Sequence, residues 1–100
     1  MITVKGKKIV MNKGDYGLPI VYNLTGELLQ PTDKILFTIG DVIEKEYSLM
    51  QDEDKYTFTF ELSEEDSEKL TDDLYFYSVK AYRENELLDT LIDDEDFELI

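Results

Sequence analysis

The chain has 100 residues, of which 34% are charged, and it carries a formal net charge of −14 with no cysteine and no histidine. This length predicts a single domain over residues 1–100 with one hydrophobic core. The composition excludes disulfides, thiolate metal sites and the commonest general base, and the negative charge disfavours direct binding to nucleic acid.

Charge is distributed unevenly along the sequence. The first 13 residues contain four lysines and no acid, whereas all 24 acids lie in the remaining part. We expect this basic N-terminal segment to bind an acidic surface, with Lys5, Lys7 and Lys8 as candidate interaction residues. Two interpretations stay open: residues 1–11 pair with an acidic edge of a neighbouring subunit, such as residues 95–100, or with the last strand of the same chain.

The first half of the chain has the alternation and the turn residues of short β-strands. Pro19 must lie at the start of a strand or on a sheet edge, because it has no amide donor. Leu28 and Leu29 in the loop 25–33 are expected to close one end of the core. Charged residues in the last of these strands predict a partly exposed edge strand. The predicted strands are residues 2–5, 9–11, 18–24, 34–39 and 42–49.

The second half begins with the clearest period-two pattern, at residues 56–62. Ser63 followed three residues later by Asp66 predicts a helix N-cap and one short helical turn near residues 63–70. A long hairpin, an acidic turn and a short final strand follow. Their predicted bounds are 74–83 and 87–92 for the hairpin, 93–96 for the turn and 97–100 for the strand. The fold class predicted from these elements is all-β, an antiparallel β-sandwich of seven to eight strands.

Residues 62–81 resemble the corner that precedes strand F in immunoglobulin-like domains. In that corner a tyrosine hydroxyl bonds back to the backbone upstream, and a core cysteine follows two positions later. Tyr75 matches the corner tyrosine, and Tyr77 stands at the position of the cysteine. The resemblance implies an immunoglobulin-like sandwich without the disulfide.

The sequence also resembles small immunoglobulin-like domains of tailed-phage and prophage tail and baseplate proteins, including the N-terminal domain of upper baseplate proteins. The similar stretches are Lys-Gly-Asp at 13–15, Asp-Lys-Ile-Leu-Phe-Thr-Ile at 33–39, Leu-Ser-Glu-Glu-Asp at 62–66, Tyr-Phe-Tyr-Ser-Val at 75–79 and Phe-Glu-Leu-Ile at 97–100. The acidic run 93–96 departs from a pattern that often has glycine there. The resemblance implies a virion component, assembled in the host cytoplasm, that contacts other tail or baseplate proteins or itself.

Little in the sequence points to catalysis, a cofactor or a metal. An enzyme would need paired carboxylates, lysine or tyrosine, and no pair stands out, so we expect no enzyme and no cofactor. The acidic runs 51–54 and 93–96 are either plain charged turns or weak calcium sites without an EF-hand spacing. Tyr16, Tyr47 and Tyr82 either form a contact patch for protein or sugar, or pack as half-exposed side chains.

Two classes of function remain after these exclusions. The first is a non-enzymatic structural or interaction module that works through protein–protein contacts. The second is an acidic inhibitor that mimics DNA and binds a basic nucleic-acid enzyme through spaced carboxylates. The sequence has no run of 18 apolar residues and no signal-peptide pattern, so we expect no membrane contact. If the protein is not a virion component, we expect it to be cytoplasmic.

Overall fold

The computed structural model describes residues 2–5, 7–17, 19–25, 29–53 and 55–100, with their side chains except those of 2–5, 25 and 52. Leu18 and Leu28 therefore lie outside the described residues. No helix in the described part of the chain is long and apolar enough to cross a membrane. The elements are β1 Ile2–Lys5, β2 Lys8–Met11, β3 Ile20–Thr25, β4 Lys34–Ile39, β5 Ile43–Ser48, β6 Met50–Asp52, β7 Lys55–Phe60, α1 Glu64–Lys69, β8 Leu74–Arg83 and β9 Glu86–Leu99.

The strands form two sheets, which confirms the predicted all-β sandwich. The larger sheet has the order β1-β2-β9-β8-β4-β5, and the smaller has the order β3-β7-β6. In chain order the smaller sheet corresponds to strands B, E and D of an immunoglobulin sandwich, and β9, β8, β4 and β5 correspond to G, F, C and C′. Among the described strands, the pairing of β2 with β9 is parallel and the other pairings are antiparallel.

Aromatic rings fill the space between the sheets. Phe37 of β4 stacks on Phe60 of β7 with 4.0 Å between ring centroids, so this contact joins the two sheets directly. Tyr77 of β8 stacks on the same Phe37 ring at 5.3 Å, and Tyr22 of β3 stacks on Phe58 at 4.8 Å. Each of these pairs adds about 1 kcal/mol to the free energy of burying the rings. The rings therefore form one cluster between the sheets, to which β3, β4, β7 and β8 each contribute.

The corner before β8 has the predicted geometry. The Tyr75 hydroxyl oxygen accepts hydrogen bonds from the backbone N–H groups of Thr71 and Asp72, both at 3.0 Å. Helix α1 begins with the predicted N-cap, where Ser63 and Asp66 each accept a hydrogen bond from the other's backbone N–H. Because these contacts join residues close in sequence, local pattern was sufficient to predict them.

Two predicted turns are wrong in detail. The acidic run 93–96 does not form a turn but lies inside β9, which continues through it to Leu99. Register shifts against β8 and the positive φ of Asp94, 44°, show that β9 accommodates the run as bulges. Likewise, Gln51 and Asp52 belong to β6, because the chain leaves the larger sheet at buried Leu49 and continues into the smaller one. The described part of the chain therefore has nine strands, where seven to eight were predicted.

The N-terminal segment pairs within the chain. Ile9 to Met11 lie beside Phe97 to Leu99 in the parallel ladder of β2 with β9. The Lys8 ammonium lies 2.8 Å from the Glu98 carboxylate. In addition, the Tyr77 hydroxyl donates a hydrogen bond to the Lys7 carbonyl oxygen, which ties the hairpin to the core. Of the two interpretations left open by the sequence, the structure has the pairing with the last strand, with β1 outside β2.

A buried ion pair fixes the loop that enters β4. The Asp33 side chain is fully buried, and its two oxygens accept hydrogen bonds from Arg83 Nε at 2.9 Å and Nη2 at 3.0 Å. The backbone N–H of Gln30 donates a third hydrogen bond at 2.8 Å. The hydrogen bonds from Arg83 lower the pKa of Asp33 below its ordinary value, although burial opposes the change.

Replacing Tyr75 by phenylalanine keeps the ring but removes the hydroxyl that accepts both backbone hydrogen bonds. We expect Tyr75→Phe to lower the free energy of unfolding by about 1 kcal/mol, because two backbone N–H groups lose their partner to the protein and turn to water. Thermal unfolding followed by circular dichroism measures the change. The control is Tyr16→Phe at an exposed hydroxyl, expected within about 0.5 kcal/mol of the parent. Equal effects of the two substitutions would contradict the role of the corner.

Replacing Asp33 by asparagine tests the buried pair and its pH dependence. We expect Asp33→Asn to lower the free energy of unfolding by about 2 kcal/mol at pH 7, since the bonds lost involve charged groups. The folded pKa of Asp33 is depressed, so its contribution is fully present above the unfolded pKa near about 4 and is lost as pH falls through the folded pKa.

Urea unfolding of parent and variant between pH 3 and pH 7 measures this dependence. The difference in stability is expected to shrink as pH falls below about 4, the unfolded pKa, and to disappear only below the lower folded pKa, where Asp33 of the folded parent loses its charge. Exposed Asp41→Asn is the matched control and is expected to change stability by less than about 0.5 kcal/mol. A difference between parent and Asp33→Asn that does not depend on pH would contradict the assignment.

Candidate functional site

The outer face of the larger sheet carries apolar side chains that the core does not use. Leu74 and Phe76 of β8 are 50% and 54% exposed, and Leu87 of β9, opposite Tyr82, is 53% exposed. The middle of the face is polar, where the Thr38 and Ser78 hydroxyls form a hydrogen bond of 2.6 Å. An apolar group at each end of one exposed sheet face is a feature of protein contact surfaces.

A groove occupies one end of this outer face, across β4, β5 and β8. It is open to solvent and has a volume of about 570 Å³. Its lining residues are Thr32, Lys34, Leu36, Glu44, Glu46, Tyr82, Glu84 and Asn85. The Lys34 ammonium donates a hydrogen bond to the Ser48 hydroxyl at 2.8 Å. Three carboxylates and one ammonium beside an aromatic ring make this groove suited to a cationic or amphipathic group.

Register between distant strands assembles the groove. Leu36 lies opposite Glu46 of β5 on one side and opposite Lys80 of β8 on the other. Lys34 lies opposite Tyr82. Directly opposed residues project from the same face of a sheet, so side chains more than 40 positions apart in sequence become neighbours.

The three tyrosines predicted as a contact patch do not share a surface. Tyr47 lies on the inner face of β5, where its ring stacks on Phe58 at 5.7 Å and its hydroxyl accepts a 3.4 Å hydrogen bond from the Glu61 N–H. Tyr82 lies on the outer face of the same sheet and lines the groove. Tyr16 is 50% exposed in the segment before β3. Only Tyr82 belongs to the candidate site.

The predicted lysines lie at the opposite side of the larger sheet from the groove. Lys7 is exposed in the turn between β1 and β2, and its ammonium has no acidic partner among the described residues. Lys8 is paired with Glu98, and Lys13, in the same basic segment, is paired with Asp73. The Lys5 side chain lies outside the described residues.

The carboxylates with shifted pKa values serve the fold. Asp33 is held by Arg83. Burial acts to raise the pKa of Asp66, but hydrogen bonds from Lys45, at 2.6 Å, and from Ser63 outweigh it and lower the pKa. Neither residue lines the groove. Within the described residues, no three acidic side chains are grouped as a metal site would require.

The sequence contained part of the signal for this surface. Alternation along β8 assigns Phe76 and Tyr82 to the face opposite the core. The position of Glu44 and Glu46 near Tyr82 could not be predicted from the sequence, because it depends on which strands pair. Comparison with known proteins adds no relative to this picture: no family model, no curated protein and no solved structure matches the chain.

Proposed function

We propose that the protein is a non-enzymatic structural module that works through protein–protein contacts, with the outer face of the larger sheet as its contact surface. The observation that carries the proposal is the exposure of Leu74, Phe76 and Leu87 on one sheet face. Leaving large apolar side chains in water has a free-energy cost, and a partner that covers them recovers it. The groove beside Tyr82 adds a polar rim to the same surface.

The sequence resemblance suggests the setting for this contact. The sequence resembles immunoglobulin-like domains of phage and prophage tail and baseplate proteins, so the proposed partners are other tail or baseplate proteins, or further copies of the chain. The proposed location is a virion assembled in the host cytoplasm. The immunoglobulin-like order of the strands is compatible with this setting, but fold alone does not determine function.

The outer face fits a protein partner better than it fits DNA mimicry. A DNA mimic presents its acids in a continuous line that imitates phosphates. On this face, Glu44 and Glu46 are interspersed with Leu36 and Lys34, and the apolar side chains of β8 and β9 follow. Such a mixture of apolar, acidic and basic groups is typical of protein–protein interfaces.

The test uses the tagged protein to capture partners from the source cell, with identification by mass spectrometry. We expect tail or baseplate proteins with the parent and at least a tenfold loss with Phe76→Asp combined with Leu87→Asp, since buried apolar contacts each contribute about 1–2 kcal/mol. Val21→Asp, on a side chain 58% exposed in the smaller sheet, is the matched control and should keep the partner.

Two outcomes would contradict the proposal. One is capture of a nuclease or polymerase in place of a tail protein, which would favour the DNA mimic. The other is a captured partner that resists the change at Phe76 and Leu87 but is lost with Val21→Asp, which would move the contact to the smaller sheet. Circular dichroism of each variant establishes that the fold is retained, which we expect because all three positions are exposed.

A further inference from the structure

We propose that copies of this chain assemble head to tail, with the basic β1–β2 hairpin of one copy docked along β5 and the acidic groove of the next. This inference rests on the proposed function, because it names one partner of the module, which is a second copy. The argument has three parts: two open edges of one sheet, their opposite charges, and the geometry that keeps them apart within one molecule.

The open edges belong to the same sheet. β1 and β5 are the outermost strands of the larger sheet, and among the described residues each pairs on one side only. An edge strand presents unpaired N–H and C=O groups, which another strand can satisfy. Four antiparallel pairings and one parallel pairing separate β5 from β1, so the two strands run in the same direction. Repetition of the molecule along the sheet would therefore bring β1 beside β5 as a parallel pair.

The charges of the two edges are opposite. The groove on the β5 side has three carboxylates, those of Glu44, Glu46 and Glu84, and one ammonium, that of Lys34. Among the described residues, Glu44 and Glu46 form no ion pair with a lysine or arginine, whereas Glu84 interacts electrostatically with the adjacent Arg83. The first 13 residues have four positive charges and no negative one. Lys8 and Lys13 already form ion pairs, whereas Lys7 has no acidic partner among the described residues and is available to another copy.

The two edges cannot neutralise each other inside one molecule. Six strands at about 4.8 Å spacing place β1 roughly 24 Å from β5, which is far beyond the reach of a lysine side chain. The acidic edge is therefore best matched by the basic edge of another copy. The same face of the sheet would point outward in every copy, so the contacts repeat. Such a head-to-tail contact generates a ring if the rotation between copies closes and a filament if it does not.

The acceptor differs from the one that the sequence suggested. Residues 95–100 were the predicted acidic edge, but β2 of the same chain already occupies that side of β9. The acidic residues that remain at an open edge are those of β5. The sheet order alone therefore moves the proposed acceptor from residues 95–100 to β5.

The first test is the molar mass of the unmodified protein, measured by light scattering across protein concentration and salt. The mass of one chain is 11.7 kDa. We expect the mass to rise with protein concentration in low salt. We also expect the apparent dissociation constant to increase at least roughly tenfold between about 0.05 and 0.5 M salt, because salt screens exposed charges. A mass of one chain under all these conditions would overturn the proposal.

The second test exchanges the charges. Glu44→Lys with Glu46→Lys makes the acceptor basic, and Lys5→Glu with Lys7→Glu makes the hairpin acidic. Each double variant alone is expected to be monomeric, because both of its edges then have the same sign. A mixture of the two variants restores opposite signs at every contact, and we expect assembly to return. Failure of the mixture to assemble, with both variants folded by circular dichroism, would overturn the proposal.

Matched controls carry the same change of net charge elsewhere. Glu68→Lys with Asp72→Lys, and Lys55→Glu with Lys69→Glu, alter exposed residues outside both edges. These variants are expected to assemble like the parent. If they did not, assembly would depend on the net charge of the protein and not on contact between the two edges. A parent protein that stays monomeric yet still captures a tail protein through Phe76 and Leu87 would refute self-assembly and leave the proposed function standing.

Discussion

The stacking of Phe37 on Phe60 is the contact on which the sandwich depends. It lies between the two sheets, in the region where immunoglobulin domains place a disulfide against a tryptophan. In this chain the Tyr77 ring stacks on the other side of the contact, against Phe37. Ring packing must therefore hold the layers together without covalent help, and the rings of Tyr22, Phe58 and Phe97 extend the same cluster.

This use of the inner faces determines where function can lie. Every second residue of β4 and β8 is buried in the core, so the alternate residues form the outer face of the sheet. On the larger sheet these are apolar at the two ends and polar in the middle, with the groove at one end. Because these residues lie on paired strands, the side chains of this face are held in fixed positions.

Local pattern predicted much of the fold and little of the surface. The alternation from Tyr56 to Leu62, the cap formed by Ser63 and Asp66 and the corner at Tyr75 each depend on residues near one another in sequence. The acidic run 93–96 has the composition of a turn, but pairing with β8 keeps it extended and the excess residues become bulges. The groove could not be predicted, because Leu36, Glu46 and Tyr82 meet only through strand pairings that local sequence does not encode.

The register of β1, β2 and β9 has a mechanical consequence. Ile2 lies opposite Met11, and Met11 lies beside Leu99, so residues 2 and 100 are at the same end of the molecule. The Ile100 N–H donates a hydrogen bond to the Met11 carbonyl oxygen, which fixes the last residue there. Tension applied between these residues would therefore separate β1 from β2 one hydrogen bond at a time, starting at Ile2. The ladder of β2 with β9 and the bond from Tyr77 to the Lys7 carbonyl would carry load only after that hairpin has opened.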